Sequence, residues 1–488
     1  MEQDFFISAE NQAENSEQEQ PQLTENTETV KREENEFLGK EKLSKLLLKF
    51  CIPCVLSLLV GALYNIVDQI FIGNSDLGYL GNAATGVCFP LTIIAMAFAW
   101  GFGDGTAAYL SICQGRKDQE NAHKAVGTAI FMTTLFSFLL MAVFLPLREP
   151  ILRLFGASDN TIGMAKDYFV IIVAAFPVYM VSNMMTGVIR ADGAPGFSMI
   201  SLVAGAVTNI ILDAIFIFGC GWGIKGAAWA TIIGEAVTFI VCVIYFFRTK
   251  TFRLTKKSFL PDGKVLKSLV QLGISSFITQ MAIVAISLVG NIIFAKYGAM
   301  SKYGQDIPIS VISVETKVFT VVINIVVGIV LGAQPIFGYN YGAKNYKRVK
   351  KTFLAVLIST VTIGLISTLL FELCPQIVYG IFGSSGSELY CEFADKIFRI
   401  FLMLITFTLI IQVTAVFLQS VGQPVKAAIV SLFRDIFCFI PFICFLPLNM
   451  GIDGAIWASP CADAAAIIVT TLLILNFFIK FRRVCQNH

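Results

Sequence analysis

Residues 223–230, Gly-Ile-Lys-Gly-Ala-Ala-Trp-Ala, return 228 residues later as residues 451–458, Gly-Ile-Asp-Gly-Ala-Ile-Trp-Ala. Two more motifs recur in the same order and nearly the same register. A glycine pattern over 101–115 matches one over 328–342, and Arg-Ala-Asp-Gly-Ala-Pro at 190–195 matches Gln-Ser-Val-Gly-Gln-Pro at 419–424. Three matches at one spacing indicate that the chain is a duplicated multi-helix unit.

The composition is that of a membrane protein. Of 488 residues, 56% are hydrophobic and only 14% are charged, with a mean hydropathy of +0.75. A soluble domain carries about 25% charged residues. In a membrane protein, two duplicated halves usually flank a substrate path and permit alternating access. The repeat therefore predicts a transporter.

Acidic residues are concentrated at the N-terminus, where the first 40 residues hold eleven of them, Asp4 and ten glutamates. Such a segment has too few apolar residues to form a core, so we predict that 1–40 is a disordered cytoplasmic tail. It is unlike a signal or transit peptide, because those are basic or apolar and poor in acids.

Twelve apolar segments are long enough, at about 20 residues, to cross a bilayer. We predict an all-α integral membrane protein with twelve transmembrane helices in two pseudo-symmetric lobes of six. The N-lobe comprises 41–247, the C-lobe comprises 267–480, a charged linker at 248–266 joins them, and 481–488 form a second cytoplasmic tail. The predicted spans are 46–72, 83–110, 125–147, 164–187, 197–218, 226–247, 267–295, 308–337, 352–373, 392–418, 426–448 and 454–479.

Lysine and arginine are distributed unevenly over the connections between these spans. If the N-terminus is inside, the cytoplasmic connections carry 24 of them and the outer connections carry five. Cytoplasmic loops are the basic ones in membrane proteins. The bias predicts a multi-pass protein of the cell membrane with both termini in the cytoplasm, and the glycines of the repeat predict close-packed helix faces.

Ionisable side chains within the spans are candidates for function, because each costs at least about 2.5 kcal/mol near a helix centre. Asp68 lies in the first span and Asp213 in the fifth, where Asn209 shares its helix face at i,i+4. With Asn65 they supply the hard oxygen ligands that suit Na⁺, and desolvation would let the same carboxyl groups carry a proton. The alternative is that each aspartate only hydrogen-bonds a neighbouring helix.

Other polar residues in the spans are weaker candidates for a substrate path: Tyr64, Gln69, Asp104, Gln280, Glu315, Gln334 and Gln412. Glu315 and Lys317 can lie near a helix end and snorkel. Arg434 and Asp435 can neutralise each other through neighbouring helices. The repeat aligns the two aspartates with non-acidic residues at 290–291 and 441–442, so we expect the charge chemistry in the N-lobe.

Taken together, residues 40–480 resemble the MATE (multidrug and toxic compound extrusion) family. The resemblance rests on the motifs quoted above, on Ile52-Pro53 fifteen residues before Asp68, and on the glycines that close the second and eighth spans. It implies a V-shaped, two-lobed antiporter that exports organic cations in exchange for H⁺ or Na⁺, without another cofactor. The implied partners are small cationic or lipophilic molecules and the bilayer, not nucleic acid, and the implied state is a monomer.

The resemblance also implies site residues. In the DinF-like branch the helix-one aspartate and the helix-five asparagine and aspartate form an N-lobe cation site, so that role carries over to Asp68, Asn209 and Asp213. Pro53 matches a proline associated with bending of helix one. Members of the NorM-like branch place cation-binding acids in the C-lobe, whereas the seventh span here has Gln280 and no acid. The implied mechanism is competition, in which the bound ion displaces the drug, and linkage makes this effect reciprocal.

An exporter of lipid-linked oligosaccharides from the same superfamily is the alternative function. It would place basic residues in the central cavity, whereas Arg434 is the only arginine predicted well inside a span. A channel is disfavoured because no short re-entrant segment interrupts the helices. An enzyme is disfavoured too, since the two histidines, His123 and His488, cannot form an HExxH zinc site and neither GxSxG nor GxxxxGK[ST] occurs.

Overall fold

The computed structural model describes residues 37–486 except 74, 76, 77, 156, 158, 160, 250, 305 and 381–387. This part of the chain is helical and without strands. Ten unbroken helices are long and apolar enough to cross a membrane, and two bent pairs complete the predicted twelve spans. The spans are α1 Leu43–Gly73, α2 Gly78–Arg116, α3 Gln119–Phe144, α4 Ile162–Ala174 with Phe176–Ala191, α5 Pro195–Gly219, α6 Gly223–Phe246, α7 Gly263–Ala299, α8 Asp306–Gly342, α9 Tyr346–Leu373, α10 Glu388–Phe401 with Ile405–Ser420, α11 Pro424–Met450 and α12 Ile452–Gln486.

The backbone repeats its irregularities at the spacing of the sequence repeat. The bent spans are α4 and α10, the fourth of each lobe, with bends of 55° and 48°. Short helices precede both, at Arg148–Leu154 and Pro375–Gly380. Gly193 and Gly422 both adopt positive φ, at 85° and 74°, in the turns that follow the bent spans. The duplication inferred from residue identities is therefore also a duplication of fold.

The lobes meet where α1 and α2 pack against α8 and α7. On α2, a methyl group added at Gly105 would lie 2.4 Å from the Leu269 carbonyl oxygen of α7. On α8, one added at Gly332 would lie 2.6 Å from Cys51 Cα of α1. The equivalent glycines of the two halves thus form the same kind of contact twice, and the predicted close-packed faces are the interface between the lobes.

The chain segment before α1 is partly folded. Of the predicted 1–40 tail, residues 1–36 lie outside the described residues, but Phe37–Lys40 form a helical turn. Leu38 is fully buried, and its carbonyl oxygen accepts hydrogen bonds from Asn340 Nδ2 and Arg348 Nε, each at 3.1 Å. Through these hydrogen bonds, the turn connects the start of the N-lobe to the C-lobe helices α8 and α9.

The connection between the lobes is shorter than the predicted linker. α7 begins at Gly263, where the Asp262 side chain accepts hydrogen bonds from the backbone of Lys264 and Val265. The buried carboxylate of Asp192, in the turn after α4, accepts from Tyr245 Oη at 2.7 Å and from the Thr251 backbone N–H at 3.0 Å. Asp192 therefore anchors the connection to the N-lobe. At the other end of the C-lobe, α12 runs to Gln486, into the predicted second tail.

Candidate functional site

Two glycines bring α5 and α6 into contact inside the N-lobe. A methyl group added at Gly205 would lie 2.0 Å from Thr238 Oγ1, and one added at Gly234 would lie 2.7 Å from the Gly205 carbonyl oxygen. One turn beyond Gly205, the amide nitrogen of Asn209 lies 3.5 Å from Thr231 Oγ1 of α6. Because α1 also packs against α5, polar side chains of three helices meet at this level.

Asp68 of α1 and Asp213 of α5 face each other within hydrogen-bonding reach. Asp213 is fully buried, and Asn209 is 2% exposed. Within the described part of the chain, no donor reaches Asp68 Oδ1, Asn209 Oδ1 or either carboxyl oxygen of Asp213. Buried polar atoms are normally hydrogen-bonded. These four unsatisfied oxygens can therefore share a proton or coordinate a monovalent cation.

An apolar cluster closes one side of this carboxyl pair. It consists of Ile72, Ile217 and Ala227, each one helical turn beyond the site on α1, α5 and α6, with Phe71 and Tyr168 packed around them. Directly after Asp213, the helix continues as a π-helix over Ala214–Gly219. Segments of π-helix are frequent at functional sites.

On the other side of the pair, next to Asn209, a small cavity of about 40 Å³ lies between α1, α5 and α6. Tyr64 and Asn209 line it, and so does Glu235, a carboxyl group that we did not select as a site residue from the sequence. Glu235 Oε2 accepts a hydrogen bond from Ser182 Oγ of α4 at 3.1 Å. The remaining lining residues are Ser57, Gly61, Leu202, Gly205, Ala206, Thr231, Gly234 and Thr238.

Two residues predicted near Asp68 are not gathered into this site. Asn65 and Gln69 are exposed, and the Asn65 amide donates to the Gly61 carbonyl oxygen of its own helix at 2.8 Å. Pro53 lies inside α1, which runs unbroken from Leu43 to Gly73, and the Pro53 carbonyl oxygen accepts from Ser57 Oγ at 2.7 Å.

Asp104 lies at the interface between the lobes. Its carboxylate accepts from Ser276 Oγ of α7 at 2.9 Å and lies 3.5 Å from Arg190 of α4. The Gln334 amide of α8 lies 3.5 Å from the Asp104 carbonyl oxygen. In the repeat, Arg190 corresponds to Gln419, whose amide donates to the Leu272 carbonyl oxygen at 2.6 Å. This polar cluster bridges the lobes beside the glycine contacts.

The remaining candidates for the substrate path lie in the C-lobe. Gln280 of α7 is buried, and Gln412 of α10 is half-buried. Glu315 is 4% exposed and lies well inside α8, 3.4 Å from Thr316 Oγ1. The expectation that Glu315 lies near a helix end and snorkels is therefore wrong.

The C-lobe also contains a buried charge cluster, part of which was missed in the sequence. Arg434 pairs with Asp435 at 2.9 Å, as expected, and also with Asp463 of α12 at 2.9 Å. Asp463 further accepts from Thr408 Oγ1 of α10 at 2.8 Å. The predicted pair of Arg434 and Asp435 is thus part of a larger cluster, in which one arginine contacts two aspartates.

Comparisons with known proteins agree with this fold. A family model described as MatE matches residues 53–215 and 275–446. The chain is 27% identical over 462 residues to the multidrug export protein MepA of Staphylococcus haemolyticus, covering 91% of this chain and 97% of that protein. It is 26% identical over 451 residues to MepA of Staphylococcus aureus strain MRSA252, with the same coverage.

Solved structures share the whole architecture. A MATE protein in a bent conformation superposes with a TM-score of 0.82 at 23% identity, covering 92% of this chain and 98% of that one. An outward-facing multidrug resistance MATE family transporter of the MOP superfamily superposes with a TM-score of 0.80 at 24% identity, covering 89% and 96%. These likenesses confirm the predicted twelve-helix, two-lobed fold.

Proposed function

Since the chain belongs to the MatE family of membrane transporters, we propose that it exports organic cations by antiport against H⁺ or Na⁺. Family membership makes the chain a multi-pass transporter of the membrane and not an enzyme. The proposal that its substrates are drug-like cations draws on the similarity to multidrug export proteins over nearly their whole length. The observation that carries the antiport mechanism is the pair Asp68–Asp213, because Asp68 Oδ1 and both carboxyl oxygens of Asp213 lack donors among the described residues.

The coupling ion binds between α1 and α5 in this mechanism. Two desolvated carboxyl groups that face each other repel when both are ionised, and an added proton or monovalent cation removes that repulsion. Asn209 supplies a neutral oxygen to the same ion. Binding draws α1 against α5, and Pro53 is the point at which α1 can bend, because proline removes a hydrogen bond from the helix.

Substrate and ion compete through the shape of the N-lobe. If the ion-bound arrangement of α1 weakens substrate binding by some factor, substrate must weaken ion binding by the same factor. Ion entry then drives substrate release on one side of the membrane, and substrate loading drives ion release on the other. Alternation itself is a rocking of the lobes about the contacts of α1 and α2 with α8 and α7.

The structure corresponds to a state closed on the side of the basic connections. Near Arg116 and Lys344, the backbones of α2 and α8 approach so closely that a methyl group added at Gly115 would lie 2.2 Å from the Tyr339 carbonyl oxygen. Under the positive-inside bias this is the cytoplasmic side, and the proposal places both termini there. The functional unit in this proposal is a monomer, because each chain contains both lobes.

The test is efflux of ethidium from cells that lack their own drug pumps. Wild type, Asp68→Asn and Asp213→Asn are compared at equal membrane expression, with Na⁺ or a protonophore as the variable. We expect wild type to export and both variants to lose at least tenfold in rate, and the ion that supports efflux is the coupling ion. Asp167→Asn is a matched control, because this aspartate forms an exposed pair with Lys225 at 3.2 Å.

Two outcomes would contradict different parts of the proposal, the ion site and the substrate class. Normal efflux by both site variants would remove the ion site from Asp68 and Asp213, and the buried Glu315 would be tested next. Absence of ethidium efflux from well-expressed wild type would refute export of this class of lipophilic cation.

A further inference from the structure

Glu235 is a carboxyl group at the middle of a membrane-spanning helix. It lies halfway along α6, which runs from Gly223 to Phe246, and therefore near the centre of the bilayer. A charged side chain at that depth costs at least about 2.5 kcal/mol. Glu235 accepts one hydrogen bond, from Ser182 Oγ. Among the ion pairs of the described residues, none involves Glu235, so no lysine or arginine offsets its charge.

The groups around Glu235 are polar but not basic. Tyr64 of α1 lines the same cavity, Tyr179 precedes Ser182 by three residues on α4, and Cys242 lies two turns further along α6. From α5, Asn209 faces the same cavity, with Asp213 one turn beyond. Acidic, phenolic and amide groups surround the carboxylate, so its charge can be compensated only by a cation from outside the chain.

Glu235 shares a cavity with Asn209, the residue one turn before Asp213 on α5. Thr231, which precedes Glu235 by one turn of α6, lies beside Asn209. Since a turn rises about 5.4 Å, Glu235 stands roughly one to two turns from Asp213 along the membrane normal. Asn209 lies between them and lines the same cavity. The residue is 2% exposed, and its Oδ1 has no hydrogen-bond donor among the described residues.

The carboxyl pair lies between this cavity and an apolar cluster. On the opposite side Ile72, Ile217 and Ala227 pack together, and at least 95% of the surface of each is buried. A desolvated ion crosses such apolar packing at high cost. On the side away from this apolar packing, Asn209 connects the carboxyl pair with the cavity that Glu235 lines.

We propose that Glu235 is a second binding position for a monovalent cation, H⁺ or Na⁺, in the N-lobe, lying on the exchange route of the ion at Asp68 and Asp213. Ser182 and Tyr64 complete its polar surroundings. This inference rests on the proposed function, because it assigns a further position to the same coupling ion. It makes the N-lobe a two-position ion path: an inner carboxyl group at the membrane centre and an outer pair beneath the apolar cluster.

The experiment counts cations on the purified full-length protein and does not depend on drug transport. Equilibrium dialysis against ²²Na⁺ gives the number of Na⁺ bound per chain for wild type, Glu235→Gln and Asp213→Asn. Infrared spectra in Na⁺-free solution over a range of pH reveal protonated carboxyl groups through their C=O stretch. We expect Glu235→Gln to lose either one bound Na⁺ or one carboxylic-acid band, and Asp213→Asn to retain that cation.

Controls separate this inference from misfolding and from failure of the proposed function. Glu392→Gln removes an exposed carboxylate paired with Lys302 and should change neither readout. Glu235→Asp keeps a carboxyl group, so it should restore the lost signal with a shifted affinity or band. If correctly folded Glu235→Gln has the same Na⁺ count and the same carboxyl bands as wild type, the second position does not exist, whatever the ethidium assay shows.

Discussion

A single methyl group at Gly115 should shift the balance between the closed and open arrangements of the lobes. In the closed arrangement described here, a Cβ at this position would lie 2.2 Å from the Tyr339 carbonyl oxygen, 2.8 Å from the Ala343 nitrogen and 2.9 Å from Gly342 Cα. All three are backbone atoms of α8 or of the turn residue that follows it, Ala343. A rotamer change cannot relieve the overlap, so α2 and α8 must separate.

The size of the effect follows from this geometry. Forcing an extra methyl into a close-packed contact costs about 1–3 kcal/mol. The cost applies only while the lobes touch, so Gly115→Ala should favour the arrangement open at the basic connections by about 5–150-fold. The general preference of helices for alanine over glycine, up to about 1 kcal/mol, acts equally in both arrangements and does not bias them.

Pulsed electron paramagnetic resonance between spin labels measures the shift directly. Gln119 at the start of α3 and Lys347 near the start of α9 are exposed and lie on different lobes at the end that carries the basic connections. We expect Gly115→Ala to add a population at longer distance. The matched control is Gly86→Ala in the same helix, because a methyl group there meets nothing within 4 Å. If the two variants give the same distance distribution, the glycine contact does not hold the lobes closed.

Two further substitutions test the stability of the lobes. Asp463→Asn should lower the free energy of unfolding by about 1.5–3 kcal/mol, because it removes a charge-assisted hydrogen bond to buried Arg434. Asp453→Asn breaks an exposed ion pair with Lys396 and should lower the free energy of unfolding by only about 0–1 kcal/mol. If both variants shift the thermal unfolding temperature in detergent equally, the Asp463–Arg434 contact does not stabilise the C-lobe. Asp192→Ala should free the connection between α6 and α7, at a cost of about 1–3 kcal/mol. Trypsin should then cleave that connection at least several times faster than in Asp453→Asn, and an unchanged rate would refute the anchoring role.

The fold was predictable from the sequence wherever a sequence motif occurs in both halves of the chain. The glycines at 101–115 and 328–342 predicted close-packed faces, and these faces form the interface between the lobes. The bends in α4 and α10 were harder to predict from the sequence. The bend in α4 falls two residues before Pro177, which cannot donate a backbone hydrogen bond. The equivalent bend in α10, at 402–404, has no proline or glycine, so nothing local predicts it.

The candidate site was likewise predictable in part, where its residues share one helix. Asn209 and Asp213 are one turn apart on a single helix, so their spacing placed them on one face. Asn65 is exposed and does not join the site, because proximity to Asp68 in sequence does not turn its side chain toward α5. Asp463 stands between two alanines and has its partners on α10 and α11. Contacts between helices that are distant in sequence leave no local pattern, so tertiary structure was needed to find them.

The two lobes differ in how their acidic side chains are paired, and this difference supports the proposed location of the coupling chemistry in the N-lobe. In the C-lobe, Arg434 contacts both Asp435 and Asp463, so removal of either acid leaves a charge without its partner. This cluster contains its own cation, which offsets one of the two acidic charges. In the N-lobe, Asp68 and Asp213 form no ion pair with any described residue, and four nearby oxygens lack donors there. In the proposed mechanism a cation from solution compensates them, and an ion gradient can thereby act on the fold.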